Sequence, residues 1–363
     1  MRPSRAAGLL LGVLADLAFG DPRRFHPVAG FGRLAAALET RSWADDRRRG
    51  ALHTAALVGA VAGAGAIVER CARGPAGTVV VTAAATWTVL GGRSLVGEGA
   101  ALGRELTAGD LAAARRRLPS LCGRDPSTLD APGMARAGVE SLAENTSDAV
   151  VAPLFWGAVA GVPGLLGYRA VNTLDAMIGH RSARHERFGW AAARLDDAAN
   201  LVPARVAALL FAGLAPVVGG SPRAAVRVWR RDARAHPSPN AGPVEAAAAG
   251  ALGLRLGGTT AYPYGVQERP LLGDGRPPAV PDLLRAARLS RAVGIAAALL
   301  TAAGAAARRT PGSRWTRQGS GAGPGAQGPP GVSSRPERAS RSAARSPARS
   351  RPPRRCSSSR RTK

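Results

Sequence analysis

The stretch that decides the fold is ALHTAALVGAVAGAGAIV, Ala51–Val68. It carries no charged residue and approaches the roughly 20 apolar residues that cross a bilayer. After a short Glu-Arg-Cys-Ala-Arg turn, a second run follows at Gly74–Gly92, and the pair predicts a transmembrane hairpin. Gly59, Gly63 and Gly65 are expected to let helices approach closely. Leu201–Gly220 and Leu283–Ala307 are further candidate spans, whereas Val150–Tyr168 reads as a buried or re-entrant segment. Ala6–Phe19 follows Arg2 and Arg5 as a secretory signal would, but no small-residue cleavage site comes after it; GDPRRFHPVAGFGR does. A soluble Ala-rich bundle is the alternative, and two adjacent uncharged runs count against it. The expected fold is therefore all-α: a multi-pass integral membrane protein of the cell membrane with extramembrane helical loops. Arginine clusters at Arg47–Arg49 and Arg115–Arg117 favour the cytoplasmic side.

Charge divides the chain of 363 residues into two parts. The formal net charge is +26, and residues 308–363 hold 15 basic residues against one acidic, Glu337. That tail is rich in Arg, Ser, Pro and Gly and lacks apolar periodicity, so it is expected to be disordered. A GC-rich frame read out of phase, or a dispensable extension, accounts for such a mixture, and no nucleic-acid partner is expected. Residues 1–307 form the membrane domain. Cys71, Cys122 and Cys356 lie far apart, with no C-x-x-C pair, which argues against a disulfide framework or zinc site.

Polar residues gather in three blocks. In the first, Asp130 caps a helix that tolerates Pro132 in its first turn. If that helix continues through ESLAENTSD, then Glu140, Glu144 and Asp148 share a face at i, i+4 and i+8, with Asn145 beside them. The plain reading is a solvated acidic stripe. Like charges at that spacing repel, however, so a cation is expected among them, either arginines from elsewhere or a magnesium ion on Glu144 and Asp148. In the second block, Asn172 and Asp175 lie i,i+3, Gly179 ends the helix, and a basic loop follows with His180, Arg181, Arg184, His185 and Arg187. Arg194, Asp196, Asp197, Asn200 and Arg205 come next. The third block contains HPSPN, a turn because of its two prolines, with Asn240 and Glu245 flanking a new helix. His53 and His185 read as structural.

The absences narrow the chemistry. The only lysine is Lys363, so no P-loop lysine exists, and there is no G-x-G-x-x-G after a strand, no H-E-x-x-H and no G-x-S-x-G. Any phosphate must be handled by arginines and backbone amides.

Five motifs occur in order: LADLAFGDPRRFHPVAGFGRL, ESLAENTSDAVVAPLF, YRAVNTLDAMIGH, FGWAAARLDDAANLVPAR and HPSPNAGPVEAAAAGALGLRLGG. Together they resemble the CobD/CbiB family of cobalamin biosynthesis proteins, from about Leu9 to about Ala303. The resemblance implies a membrane enzyme, adenosylcobinamide-phosphate synthase. Such an enzyme joins aminopropanol, or its O-phosphate, to the f-side-chain carboxylate of the corrinoid adenosylcobyric acid, driven by ATP and magnesium. Other late-pathway membrane proteins are expected partners. On that implication Glu140, Glu144, Asn145, Asp148, Asn172, Asp175, Asp196 and Asp197 are the candidate catalytic residues. Arg181, Arg184, Arg194, Arg205 and Asn240 are the candidates for holding ATP. The chain departs from the family pattern at Asn240–Glu245, where NAGPVE replaces the usual N-A-G-W-P-E, and at His180, where tyrosine is usual. The altered block leaves an inactive family member as one reading. A transporter or non-catalytic assembly subunit is another; it should carry its polar blocks within the spans rather than in loops and extramembrane helices.

Because the tail carries no motif, deleting Thr310–Lys363 should leave membrane insertion intact. Carbonate-washed membranes should retain the truncated chain in the pellet, and its release into the supernatant would make the tail part of the anchor.

Overall fold

The computed structural model describes residues 2–21, 26–180, 182–262 and 265–307. The tail assigned to 308–363 lies outside the described residues. Four helical stretches are long and apolar enough to cross a membrane: Arg47–Cys71, Gly74–Thr107, Ala131–Gly179 and Val280–Ala307. The chain is a helical membrane protein.

The first helices are α1 (Arg2–Phe19), α2 (Pro27–Ser42), α3 (Arg47–Cys71), α4 (Gly74–Val89), α5 (Gly92–Thr107) and α6 (Leu111–Arg117). The hairpin expected of α3 and α4 is not formed as a packed pair. α3 lies mainly on α8 (Ala152–Leu174), and α4 lies mainly on α1. Small residues explain the choice, though not the ones the sequence singled out. A Cβ added at Gly59 or Gly63 would meet nothing within 4 Å, and only Gly65 abuts a neighbour, with Pro163 Cα 3.1 Å away. The close approach is instead between α1 and α4, where Gly8 and Gly12 face Thr82 and Thr86. Those threonines are fully buried.

α7 (Ala131–Thr146) begins as its sequence predicts: Asp130 accepts from Gly133 N at 2.8 Å, and Pro132 sits in the first turn. A π-helical turn at Ser147–Val151 then joins it to α8, and a second, Asp175–Gly179, ends α8. Each adds a residue to a turn and so re-aims the side chains that follow. The segment read as buried or re-entrant, Val150–Tyr168, is broken in its middle, where Gly161 takes φ 71° ahead of Pro163. The ESLAENTSD block belongs to the same helical stretch, Ala131–Gly179, and its carboxylates stand ahead of the apolar part of that stretch.

α9 (Trp190–Gly213) stops short of the predicted Leu201–Gly220 span, because a 3-10 turn at Ala215–Val218 replaces its end. α10 (Pro222–Asp232) and the wholly buried α11 (Ala241–Leu252) flank the HPSPN turn. The all-α expectation missed one hairpin, β1 (Leu256–Tyr262) with β2 (Gly265–Leu272). Its start falls in the LGG that follows the Ala-rich helix. Gly257 sits in a bulge at φ 86°, where any Cβ would strike the Pro270 carbonyl. Arg136 of α7 clamps the hairpin by donating to the carbonyls of Gly257 and Thr259, both at 2.6 Å. α12 (Val280–Ala307) closes the core against α1, α5 and α7. His53 is structural as read, bonded to Ser42 at 2.9 Å and packed on Phe188.

Gly12→Leu should be costly, since even its Cβ would lie 2.7 Å from the Ala83 carbonyl. Overpacking of this kind costs about 1–3 kcal/mol. The thermal midpoint in detergent should drop for Gly12→Leu and stay unchanged for Gly59→Leu; equal midpoints would remove the tight α1–α4 contact.

Candidate functional site

Five carboxylates converge on one pocket of about 250 Å³: Glu144, Asp148, Asp175, Asp196 and Asp197, with Asn200 among them. Three separate pieces of chain bring them together. Glu144 comes from the last turn of α7, Asp148 and Asp175 from the two π-turns, and Asp196 and Asp197 from α9. Among the described residues lining it, none is Arg, Lys or His.

Amides hold the carboxylates in place. Asn200 Nδ2 donates to Asp196 Oδ2 at 3.0 Å, and Asn172 Nδ2 donates to Asp196 Oδ1 at 3.4 Å. The buried Tyr168 hydroxyl donates to Asn200 Oδ1 at 2.8 Å and stands 3.2 Å from the Asp148 carbonyl. Asn240 Nδ2 donates to the Asp197 carbonyl at 2.8 Å, while Arg205 Nη1 donates to Asn240 Oδ1 at 2.9 Å. Asp196 is pushed up to about 6, first by burial, with Asp197 and Glu144 adding to it and the Asn200 and Asn172 bonds opposing. Asp197 is also raised by burial, against the pull of Arg194.

The remaining predicted residues sit elsewhere. Glu140, one turn before Glu144 on α7, does not line the pocket. Its Oε1 accepts from Gly257 N at 2.8 Å and its Oε2 pairs with Arg124, so it ties the hairpin to α7. Asn145 donates back to the Ser141 carbonyl at 3.0 Å, within its own helix. Arg184 is bound to Glu39 of α2 at 2.9 Å and stacks over Trp43, and His185 meets the same Glu39 at 3.1 Å. Arg194 stands exposed, 3.8 Å from Asp197. Arg181 lies outside the described residues. Among the described candidate arginines, Arg194 and Arg205 touch the pocket's frame, through Asp197 and Asn240. Tyr168 and Ser238 are not among the candidate residues read from the sequence, although each stands in one of the polar blocks.

A dense set of oxygen donors without lysine or arginine suits a hard cation. Magnesium takes one or two carboxylates and fills its shell with water and phosphate oxygens, so the set fits it. Among the described residues no three His, Cys, Asp or Glu side chains form a ready-made cage.

Asp196 gives this crowding a measurable sign. Its folded value lies above the ordinary 3.8, so the folded state keeps a proton that the unfolded chain releases between 3.8 and about 6. Stability from this group is thus present at low pH and lost as pH rises through that window. In chelator, Asp196→Asn should gain in thermal midpoint over the parent chain between pH ~4 and pH ~6.5. A gap that does not change with pH would contradict the crowding.

A family model described as CobD/Cbib protein matches residues 9–290. Over 297 residues the chain is 60% identical to cobalamin biosynthesis protein CobD of Mycobacterium tuberculosis, covering 82% of this chain and 95% of that protein. Identity is 46% over 298 residues to the Rhodobacter capsulatus protein of the same name, with 79% and 93% covered. It is 47% over 274 residues to that of Geobacter metallireducens, with 74% and 86% covered. No solved structure matches. The matched region contains every residue of the acidic pocket, and the chain belongs to the CobD/CbiB family.

Proposed function

We propose that this chain is a cell-membrane enzyme of cobalamin biosynthesis that joins an amine to a corrinoid carboxylate at the expense of ATP. Family membership supports the pathway, and the five-carboxylate pocket carries the reaction class. A carboxylate does not react usefully with an amine near neutral pH, because its oxygen is a very poor leaving group. In the proposed sequence the f-side-chain carboxylate of adenosylcobyric acid attacks the γ-phosphorus of ATP, and ADP departs. The amine nitrogen of aminopropanol or its phosphate then attacks the acyl carbon. The new amide loses a proton to the enzyme, and phosphate leaves with one of the original carboxylate oxygens.

Each part of the pocket has a task in this scheme. Glu144 and Asp148 would hold magnesium, which would supply charge neutralisation for phosphate oxygens. Asp196 is the base. An ordinary aspartate is a weak one at neutral pH, and a value near 6 brings it closer to the operating range. Asn172 and Asn200 fix both of its oxygens, which keeps the accepting lone pair aimed at the pocket. Asp175 and Asp197 add negative charge that attracts the incoming ammonium.

One observation favours a second reading. Glu144, Asp148 and Asp175 flank the apolar part of the helical stretch Ala131–Gly179, and carboxylates beside membrane helices also mark transport paths. Product formation separates the two readings. Membranes bearing the chain, given adenosylcobyric acid, aminopropanol phosphate and ATP, should form adenosylcobinamide phosphate. Glu144→Gln should insert normally and lose turnover on the order of 100-fold. Substrate uptake without product would favour the transporter, and near-normal turnover by Glu144→Gln would return the acidic residues to a structural role.

A further inference from the structure

The turn His236–Asn240 is a thin wall with opposite charge on its two sides. Ser238 and Asn240 line the acidic pocket. The alternate residues Pro237 and Pro239 line a second cavity of about 530 Å³. Arg205, Arg230 and Arg234 contribute to that cavity beside Trp229 and His236, and no carboxylate lines it. The two prolines fix the backbone of this turn, and its residues line the two cavities alternately. Ser238 fastens the wall by accepting from Asn240 N and Ala241 N at 3.3 and 3.1 Å.

Such segregation is costly without ligands. Arg230 and Arg234 are exposed at i and i+4 and make no ion pair among the described residues. Their neighbour Arg231 behaves differently, paired to Asp232 at 2.6 Å and Asp274 at 2.9 Å. Arg205 donates one N–H to Asn240, which pins the guanidinium at the cavity wall. Converging guanidinium groups with no counter-charge form a site for a multivalent oxyanion, and their planar forks match phosphate. Trp229 offers an aromatic edge to whatever the phosphates carry.

From this arrangement we infer that the basic cavity is a polyphosphate subsite, with Arg230 and Arg234 as phosphate-binding residues and Arg205 bridging the two sides of the wall. That the polyphosphate is ATP rests on the amide-forming reading; the binding of anions does not. This subsite assigns a role to α10 and the turn after it, which carry none of the arginines the sequence pointed to.

The test is equilibrium binding to the full chain in nanodiscs of neutral phosphatidylcholine, with magnesium, using inorganic tripolyphosphate and ATP as separate probes. Arg230→Gln/Arg234→Gln should weaken both by at least about 10-fold, as loss of charge-assisted bonds does. Arg223→Gln/Arg227→Gln, on the same helix but outside this cavity, should change neither by more than about twofold. Equal weakening by both double variants would overturn the subsite in favour of a diffuse field. So would an absence of tripolyphosphate binding together with Arg230- and Arg234-dependent retention of phosphatidylglycerol, since that would make the surface a lipid-headgroup contact. The amide assay separates this inference from the reaction. Arg230- and Arg234-dependent binding without any amide product keeps the subsite and removes the reaction. Normal product formation by Arg230→Gln/Arg234→Gln at an unchanged KM for ATP does the reverse.

Discussion

Five carboxylates in one small pocket form a constraint around which the rest of the structure is arranged. Like charges a few ångströms apart cannot all ionise in a low-dielectric setting unless a cation, protons or amide donors offset them. The fold supplies the amides: Asn172 and Asn200 bracket Asp196, and Tyr168 holds Asn200 in turn. It supplies no lysine or arginine at the pocket wall among the described residues. Remaining charge is left for a ligand to neutralise.

Scaffold packing serves that arrangement. The α1–α4 contact, closed over Gly8 and Gly12, leaves α3 to pack on α8. α8 is flanked by the two π-turns that contribute Asp148 and Asp175. The hairpin looks peripheral but is bonded to α7 through Glu140 and Arg136, the helix that presents Glu144. A buried ionic cluster continues this link: Glu245 of α11 lies 3.9 Å from His236 and 3.8 Å from Arg269 of β2. Burial pushes the Glu245 carboxyl well above its usual range, with Glu140 and Glu144 adding to the effect. His236 belongs both to this cluster and to the turn that divides the acidic pocket from the basic cavity, so the wall is tied into the core.

Much of this was legible in the sequence because it depends on local rules. Apolar run length marked α3 and α12, Asp130 marked the start of α7, and the two prolines marked the turn at residues 236–240. Clusters of Asn and Asp marked the pocket, including Asp175, Asp196 and Asp197. What failed depended on tertiary choices. Helical spacing groups Glu140 with Glu144 and Asp148, but its carboxylate is taken by Gly257 N of the hairpin and by Arg124, partners that no local pattern announces. The hairpin that Gly257 and Gly258 open was not expected, because Arg136 from far along the chain stabilises it. Arg184 looked like a phosphate ligand in a basic loop, but Glu39 and Trp43 of α2 claim it. Arg230 and Arg234 are not among the phosphate candidates read from the sequence, and only the fold sets them on one cavity with Arg205.

The central claim is that the acidic pocket carries ATP-driven activation of a carboxylate. Following an oxygen atom tests it most directly. Adenosylcobyric acid labelled with oxygen-18 in the f-side-chain carboxylate would be incubated with amine, ATP, magnesium and membranes bearing the chain, and the released phosphate examined by mass spectrometry. The account predicts that each amide formed is matched by one labelled phosphate. Label in AMP instead, or amide formed with unlabelled phosphate, would contradict it.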